Sequence, residues 1–200
     1  MSVTQEALQL IEKILRAGGI KPETMLLCGR NPERDLNTGF FKKAGNVVTS
    51  TSFEKMKPSQ VSQKVLESLE VILKTKGNIT SAFFQRWAHW GDKRIPDMEK
   101  MVELIRRYKI PIIILNPIAQ KQAGEIGVKN PKLSTMVPEK ELLEILRAGN
   151  YLTHTFEISK KLGNSRKQES MTPFRLFVAV RGDMKGRLDS MKRAHESIRI

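Results

Sequence analysis

The chain has 200 residues and a mass of 22.8 kDa, enough to bury one large core or two small ones. Its 40% hydrophobic and 28% charged residues exclude wholesale disorder, and its single cysteine, Cys28, excludes an intrachain disulfide and a multi-cysteine zinc cluster. Against 21 Asp and Glu stand 35 Lys and Arg, and the resulting net charge of +14 points to a polyanionic partner, nucleic acid first and acidic membrane second.

In chain order, Ala7, Leu8, Ile11, Ile14 and Leu15 recur at helical spacing, and Gly18-Gly19 supplies a stop. From Lys21 to Pro58 the chain is rich in turn residues: Gly29, Asn31, Pro32, Asn37, Gly39, Gly45 and Asn46. Phe40-Phe41 and Val47-Val48 either seed a minor β-hairpin or anchor a loop-rich segment. Val61, Val65, Leu69 and Ile72 form one apolar helical face that ends at Gly77. Thr80 can cap a short helix holding Phe83, Phe84, Trp87 and Trp90. Pro96 opens another helix, with Asp97 and Glu99 at its positive end and Arg106, Arg107 and Lys109 at its negative end.

Ile112 to Leu115 reads equally as a buried strand or a buried helical turn. Helices are expected over Pro138 to Gly149 and Tyr151 to Leu162. Thr172 to Val180 is a helix or, through Phe177-Val178-Ala179-Val180, a strand. Met184 to Ile200 is a basic tail. The predicted fold class is therefore mainly α, a compact helical domain open to division into two lobes. Its parts are an N-terminal helical arm at 1–20, an N-terminal lobe at 21–116 and a C-terminal lobe with the basic tail at 117–200. The string Ile14-Leu15-Arg16-Ala17-Gly18 repeats as Ile145-Leu146-Arg147-Ala148-Gly149. Duplication would produce this, and so would the shared chemistry of helix ends.

No motif links Cys28 to His89, His154 or His195 as nucleophile and base, and no phosphate-cradling glycine loop occurs. Asp97, Glu99 and Glu103 would suit a metal-dependent nuclease, but acidic residues after a helix-starting proline are ordinary. No catalytic residue, metal ligand or cofactor is assigned, and the protein is read as a non-enzyme. The basic residues recur at short intervals along the whole chain, which suits a groove tracking a phosphate backbone better than one recognition helix. Candidate RNA contacts are Lys42, Lys43, Arg86, Lys93, Arg94, Arg106, Arg107, Lys160, Lys161, Arg166, Lys167, Arg175, Arg181 and Arg187. Trp87 and Trp90 join them as stacking platforms, with Phe83 and Phe84 either sharing that role or buried.

The string Lys109-Ile110-Pro111-Ile112-Ile113-Ile114-Leu115-Asn116-Pro117-Ile118-Ala119-Gln120-Lys121 resembles a segment in the middle of orthobunyavirus nucleoproteins, among the small nucleoproteins of segmented negative-strand RNA viruses. The resemblance covers about a dozen residues. It implies a two-lobed α fold with genomic RNA in a basic crevice, and terminal arms that dock on neighbouring protomers. Leu8, Ile11 and Leu15 would then fill a neighbour's groove, or else pack in their own domain.

The expected function is a sequence-tolerant single-stranded RNA-binding protein that self-associates and coats RNA, a viral nucleoprotein. Its partners would be RNA, further copies of itself, and a polymerase or other viral proteins. The alternatives are a matrix or scaffold protein on acidic membranes and a metal-dependent nuclease. No apolar run approaches the roughly 18 residues of a membrane span. The first residues lack a basic and apolar leader, so an intracellular location, in cytoplasm or virion, is expected.

Overall fold

Short apolar runs decide the architecture. The computed structural model describes residues 5–29, 31–49, 58–85, 94–116, 139–158 and 174–198. In it six segments, most of them built on such runs, become strands: β1 (Met25–Gly29), β2 (Asn46–Thr49), β3 (Ser81–Gln85), β4 (Ile112–Asn116), β5 (Tyr151–Ile158) and β6 (Phe174–Arg181). They form one sheet in the order β2-β1-β3-β4-β6-β5. β1 to β4 are mutually parallel, and β6 runs antiparallel to both of its neighbours, β4 and β5. Five helices of ten or more residues accompany it among the described residues: α1 (Gln5–Ala17), α2 (Pro58–Thr75), α3 (Arg94–Arg107), α4 (Glu139–Ala148) and α5 (Lys185–Ile198).

Successive strand residues point to opposite faces, and both faces are covered. On one, Leu26, Cys28, Val48, Ala82, Phe84, Ile113, Leu115, Phe177 and Ala179 pack beneath α2, α3 and α4 through Val65, Leu69, Met101, Ile105 and Leu146. On the other, Met25, Leu27, Phe83, Ile112, Ile114, Phe156, Val178 and Val180 pack beneath α1 and α5. Leu36, Phe40 and Phe41, from the connection between β1 and β2, fill the same layer, where Phe41 meets Phe83 edge-on at 5.4 Å. Each large side chain removed from water here contributes about 1.5–3 kcal/mol.

This is an α/β fold, and the mainly α expectation is wrong. A strand buried on both faces is apolar at every position and shows none of the alternation that marks a strand in sequence. Ser81–Gln85 forms β3 where a helix was expected, because Phe83 and Phe84 are needed on opposite faces of the sheet. Tyr151–Ile158 forms β5, not a helix, consistent with its aromatic and β-branched content. Among the described residues before 58 no hairpin forms: β1 and β2 are parallel, with Leu27 beside Val47. The two ambiguous runs are both strands, β4 and β6. The tail at 185–198 is an ordered helix, α5.

The two-lobed α fold implied by the nucleoprotein resemblance is not formed either, since Ile112–Asn116 of its defining string is a central strand. The sheet also runs continuously past residue 116, because β4 pairs directly with β6. Leu8, Ile11 and Leu15 are at most 3% exposed, in contact with the layer that α5 shares. Their own domain covers them.

The repeated Ile-Leu-Arg-Ala-Gly string marks two helix ends of the same kind. After α1, Gly19 takes φ +69° and the Ile20 amide reaches back to the Leu15 carbonyl at 3.0 Å. After α4, Asn150 takes φ +64°. α3 closes likewise without the string, with Lys109 at φ +57° and the Ile110 amide on the Ile105 carbonyl at 3.0 Å.

Gly18, at the close of α1, has no room for a side chain: a Cβ would overlap Met191 Cε and stand 2.9 Å from Met191 Cγ, in the buried seam between α1 and α5. Gly18→Ala is expected to cost about 1–3 kcal/mol in a denaturant titration. Combining it with Met191→Ala should cost less than the sum of the two changes. Strict additivity would contradict this packing.

Candidate nucleic-acid interface

With the central strands covered on both faces, the described charge lies on the outer helix surfaces and the rims of the sheet. One rim carries the amino ends of β1 to β5 and the carboxyl end of β6. Six stretches build it: 16–24, 42–46, 74–80, 106–111, 147–150 and 181–187. Between them they hold thirteen Lys and Arg and only two carboxylates, Glu23 and Asp183. Helices explain part of this surplus. α1, α2, α3 and α4 all end here, and Arg16, Lys74, Arg106, Arg107 and Arg147 complement the partial negative charge of their last carbonyls. Lys21, Lys42, Lys43, Lys76, Lys109, Lys185 and Arg187 sit outside those last turns.

Of the residues singled out in the sequence, Lys42, Lys43, Arg106, Arg107, Arg181 and Arg187 come together on this rim although they span 146 positions of the chain. Lys42 and Lys43 end a single helical turn before β2. It is locked by the close approach of Gly45, where a Cβ would stand 2.8 Å from the Glu23 carbonyl oxygen. Arg187 lies over Gly19, its guanidinium carbon 4.0 Å from where a Cβ would stand. Nearby, Arg16 covers the Phe40 ring at 4.9 Å.

Two of the six are held by carboxylates. Arg181 grips Asp183 through Nε at 2.6 Å and Nη2 at 2.7 Å, and donates from Nη1 to the Lys109 carbonyl at 3.4 Å. That fork holds the Asp183 carboxyl below its ordinary range and raises the Arg181 guanidinium. Arg107 reaches Glu70 at 3.4 Å and Glu103 at 3.3 Å. Lys42, Lys43, Arg106 and Arg187 meet no carboxylate among the described residues.

None of the other candidates lies on this rim among the described residues. Arg94 begins α3 and Arg175 lies in β6, with side chains outside the described residues. Arg86, Trp87, Trp90, Lys93, Lys160, Lys161, Arg166 and Lys167 lie wholly outside them. The described chain ends at Gln85 before the first four and at Ile158 before the last four, both on the opposite rim. Phe83 and Phe84 are fully buried and offer no stacking surface. The candidates drawn from sequence omit Arg16, Lys21, Lys74, Lys76, Lys109, Arg147 and Lys185. Each lies at a helix end or in a connection, a position that only the topology turns into a shared edge.

Little else in the described residues offers chemistry. Cys28 is buried, and desolvation pushes its thiol well above the ordinary range, away from the reactive thiolate. Asp97 and Glu99 lie in α3 with side chains outside the described residues, and Glu103 is exposed against Arg107. No group of three His, Cys, Asp or Glu that could hold a metal exists among the described residues. No described helix is long and apolar enough to cross a membrane. Comparison with known protein families and with curated proteins finds no match.

Tyr151 anchors this rim from below, donating its hydroxyl to the Ile110 carbonyl at 3.0 Å. Burial pushes its pKa up to about 12 against the opposing pull of Arg181 and Arg106. The unfolded chain ionises it near 10, so its contribution to stability is complete below that pH and is lost as pH rises through 12. Denaturant titrations of the wild type should lose more stability across this window than those of Tyr151→Phe, by on the order of 2 kcal/mol. Parallel pH profiles would contradict the assignment.

Proposed function

We propose that this protein binds single-stranded RNA with little base preference, laying the phosphate backbone across the amino rim of its sheet, and that it coats the strand by self-association. The observation that carries the reading is the rim's thirteen cations, drawn from six separate stretches of chain, against two carboxylates in those stretches and three beside them, Glu12, Glu70 and Glu103, that pair with Arg16 and Arg107. Such a lane neutralises successive phosphates and gains affinity from counterion release. Contacts spread over turns and helix ends, with no single helix projecting, suit a flexible strand better than the major groove of a duplex.

An acidic membrane would meet the same charge, but peripheral membrane binding also wants apolar side chains beside the cations. Among the described residues only Val71 and Leu152 are large, apolar and exposed. That favours the nucleic acid. A nucleoprotein role, with a polymerase as further partner, is the corresponding proposal for its place in a larger assembly, and it rests on the rim. The buried face of α1 leaves self-association to another surface.

Fluorescence anisotropy with RNAs of unrelated sequence tests this. A strand touching about six cations should give a slope of log affinity against log salt near −4, with little dependence on sequence. Changing Lys42, Lys43, Arg106 and Arg187 together to Glu should weaken binding at least a hundredfold and make the slope shallower by about 3. A flat salt response, or full affinity in this variant, would overturn the proposal. Binding of acidic liposomes undiminished by competing RNA would do the same.

A further inference from the structure

Where the rim meets the last strand, it opens into a cleft of about 410 Å³. The start of β5, Tyr151, Leu152 and Thr153, makes its floor. Arg147 of α4 stands on one side, and Lys185, Leu188, Asp189 and Lys192 of α5 stand on the other. β5 is the outermost strand of the sheet. Its backbone direction follows from its neighbour. The Arg181 amide bonds the Pro111 carbonyl at 2.8 Å, toward β4, so Tyr151, paired with Arg181, turns its own amide and carbonyl away from the sheet.

Alternation then turns Thr153, Thr155 and Glu157 outward as well. At Glu157 the outward carbonyl is already taken, by His195 Nε2 at 3.0 Å. At Thr153 and Thr155 no hydrogen bond to the outward groups exists among the described residues. Among the described residues the edge is closed at one end and open along the cleft.

We propose that this cleft is a docking site for an extended acidic peptide, which adds to β5 as a seventh strand. The open edge supplies main-chain donors and acceptors, the usual source of affinity in strand addition. Three cations against one carboxylate, which Lys192 meets at 3.8 Å, select an acidic partner. Leu152, 39% exposed and next to Leu188 in the cleft, receives an apolar side chain between the acidic ones. A second copy of the chain fits less well. Antiparallel pairing of two β5 strands about His154 and Thr155 would set these cations against the end of β5, where the sequence continues Ser159-Lys160-Lys161.

The test uses a fluorescein-labelled eight-residue peptide alternating glutamate and valine, titrated with the full chain. Binding should weaken at least tenfold when alternate peptide nitrogens are methylated, and to a similar extent in Lys192→Glu. A lysine-valine peptide should not bind. Thr153→Pro removes only an outward donor, so it should weaken the peptide tenfold while leaving RNA affinity unchanged. Should that variant fail to fold, the methylated peptide on the wild-type chain decides alone. Equal affinity for plain and methylated peptides, or for the lysine-valine peptide, would overturn the proposal. A Thr153→Pro variant that lost RNA but kept the peptide would assign the cleft to nucleic acid, with the same result.

Discussion

Burial of the sheet on both faces is the constraint from which the rest follows. Leu26 and Leu27, Phe83 and Phe84, and Ile113 and Ile114 send neighbouring side chains into opposite layers, so the central strands β1, β3 and β4 leave little surface for solvent or ligand. Charge excluded from both faces has the outer helix surfaces and the rims left to occupy. Parallel strands then sort the chain. Each helix that returns to start a strand must end on the amino rim, and each brings its terminal cations to the same place.

Those cations serve two ends at once. Arg106 and Arg147 complete the electrostatics of helix carboxyl termini, which needs one charge per helix and no partner molecule. The surplus beyond that, at Lys21, Lys42, Lys43, Lys185 and Arg187, does nothing for the helices and leaves the rim self-repelling until an anion arrives. Arg181 and Arg107 are different in kind. Asp183 orients the first, and Glu70 and Glu103 hold the second, so these side chains shape the rim more than they populate it with free charge.

The sequence made the helices legible and hid the sheet. α1, α2, α3 and α4 each bury a single stripe against the sheet, and that stripe leaves a 3.6-residue period with capping and stop residues at the ends. β1, β3 and β4 bury everything, so Met25-Leu26-Leu27-Cys28 shows no period at all, and Phe83-Phe84 passes for part of a helix. Half of β5 is polar or charged; Leu152, Phe156 and Ile158 alternate with Thr153, Thr155 and Glu157, and His154 in the apolar series masks the period of two. The basic surplus was legible as a property of the chain. Its location was not, because Lys42 and Arg187 become neighbours of one rim only through strand order. Phe83 shows the reverse error: an aromatic flanked by cations in sequence turns out to be core.

The amino rim is therefore the claim on which the functional account stands, and hydrogen exchange with and without a saturating single-stranded RNA addresses it directly. The account predicts slowed exchange at 16–24, 42–46, 106–111 and 181–187, with the buried strands unchanged. Unchanged exchange at all four of these stretches, with protection confined to other parts of the chain, would contradict it.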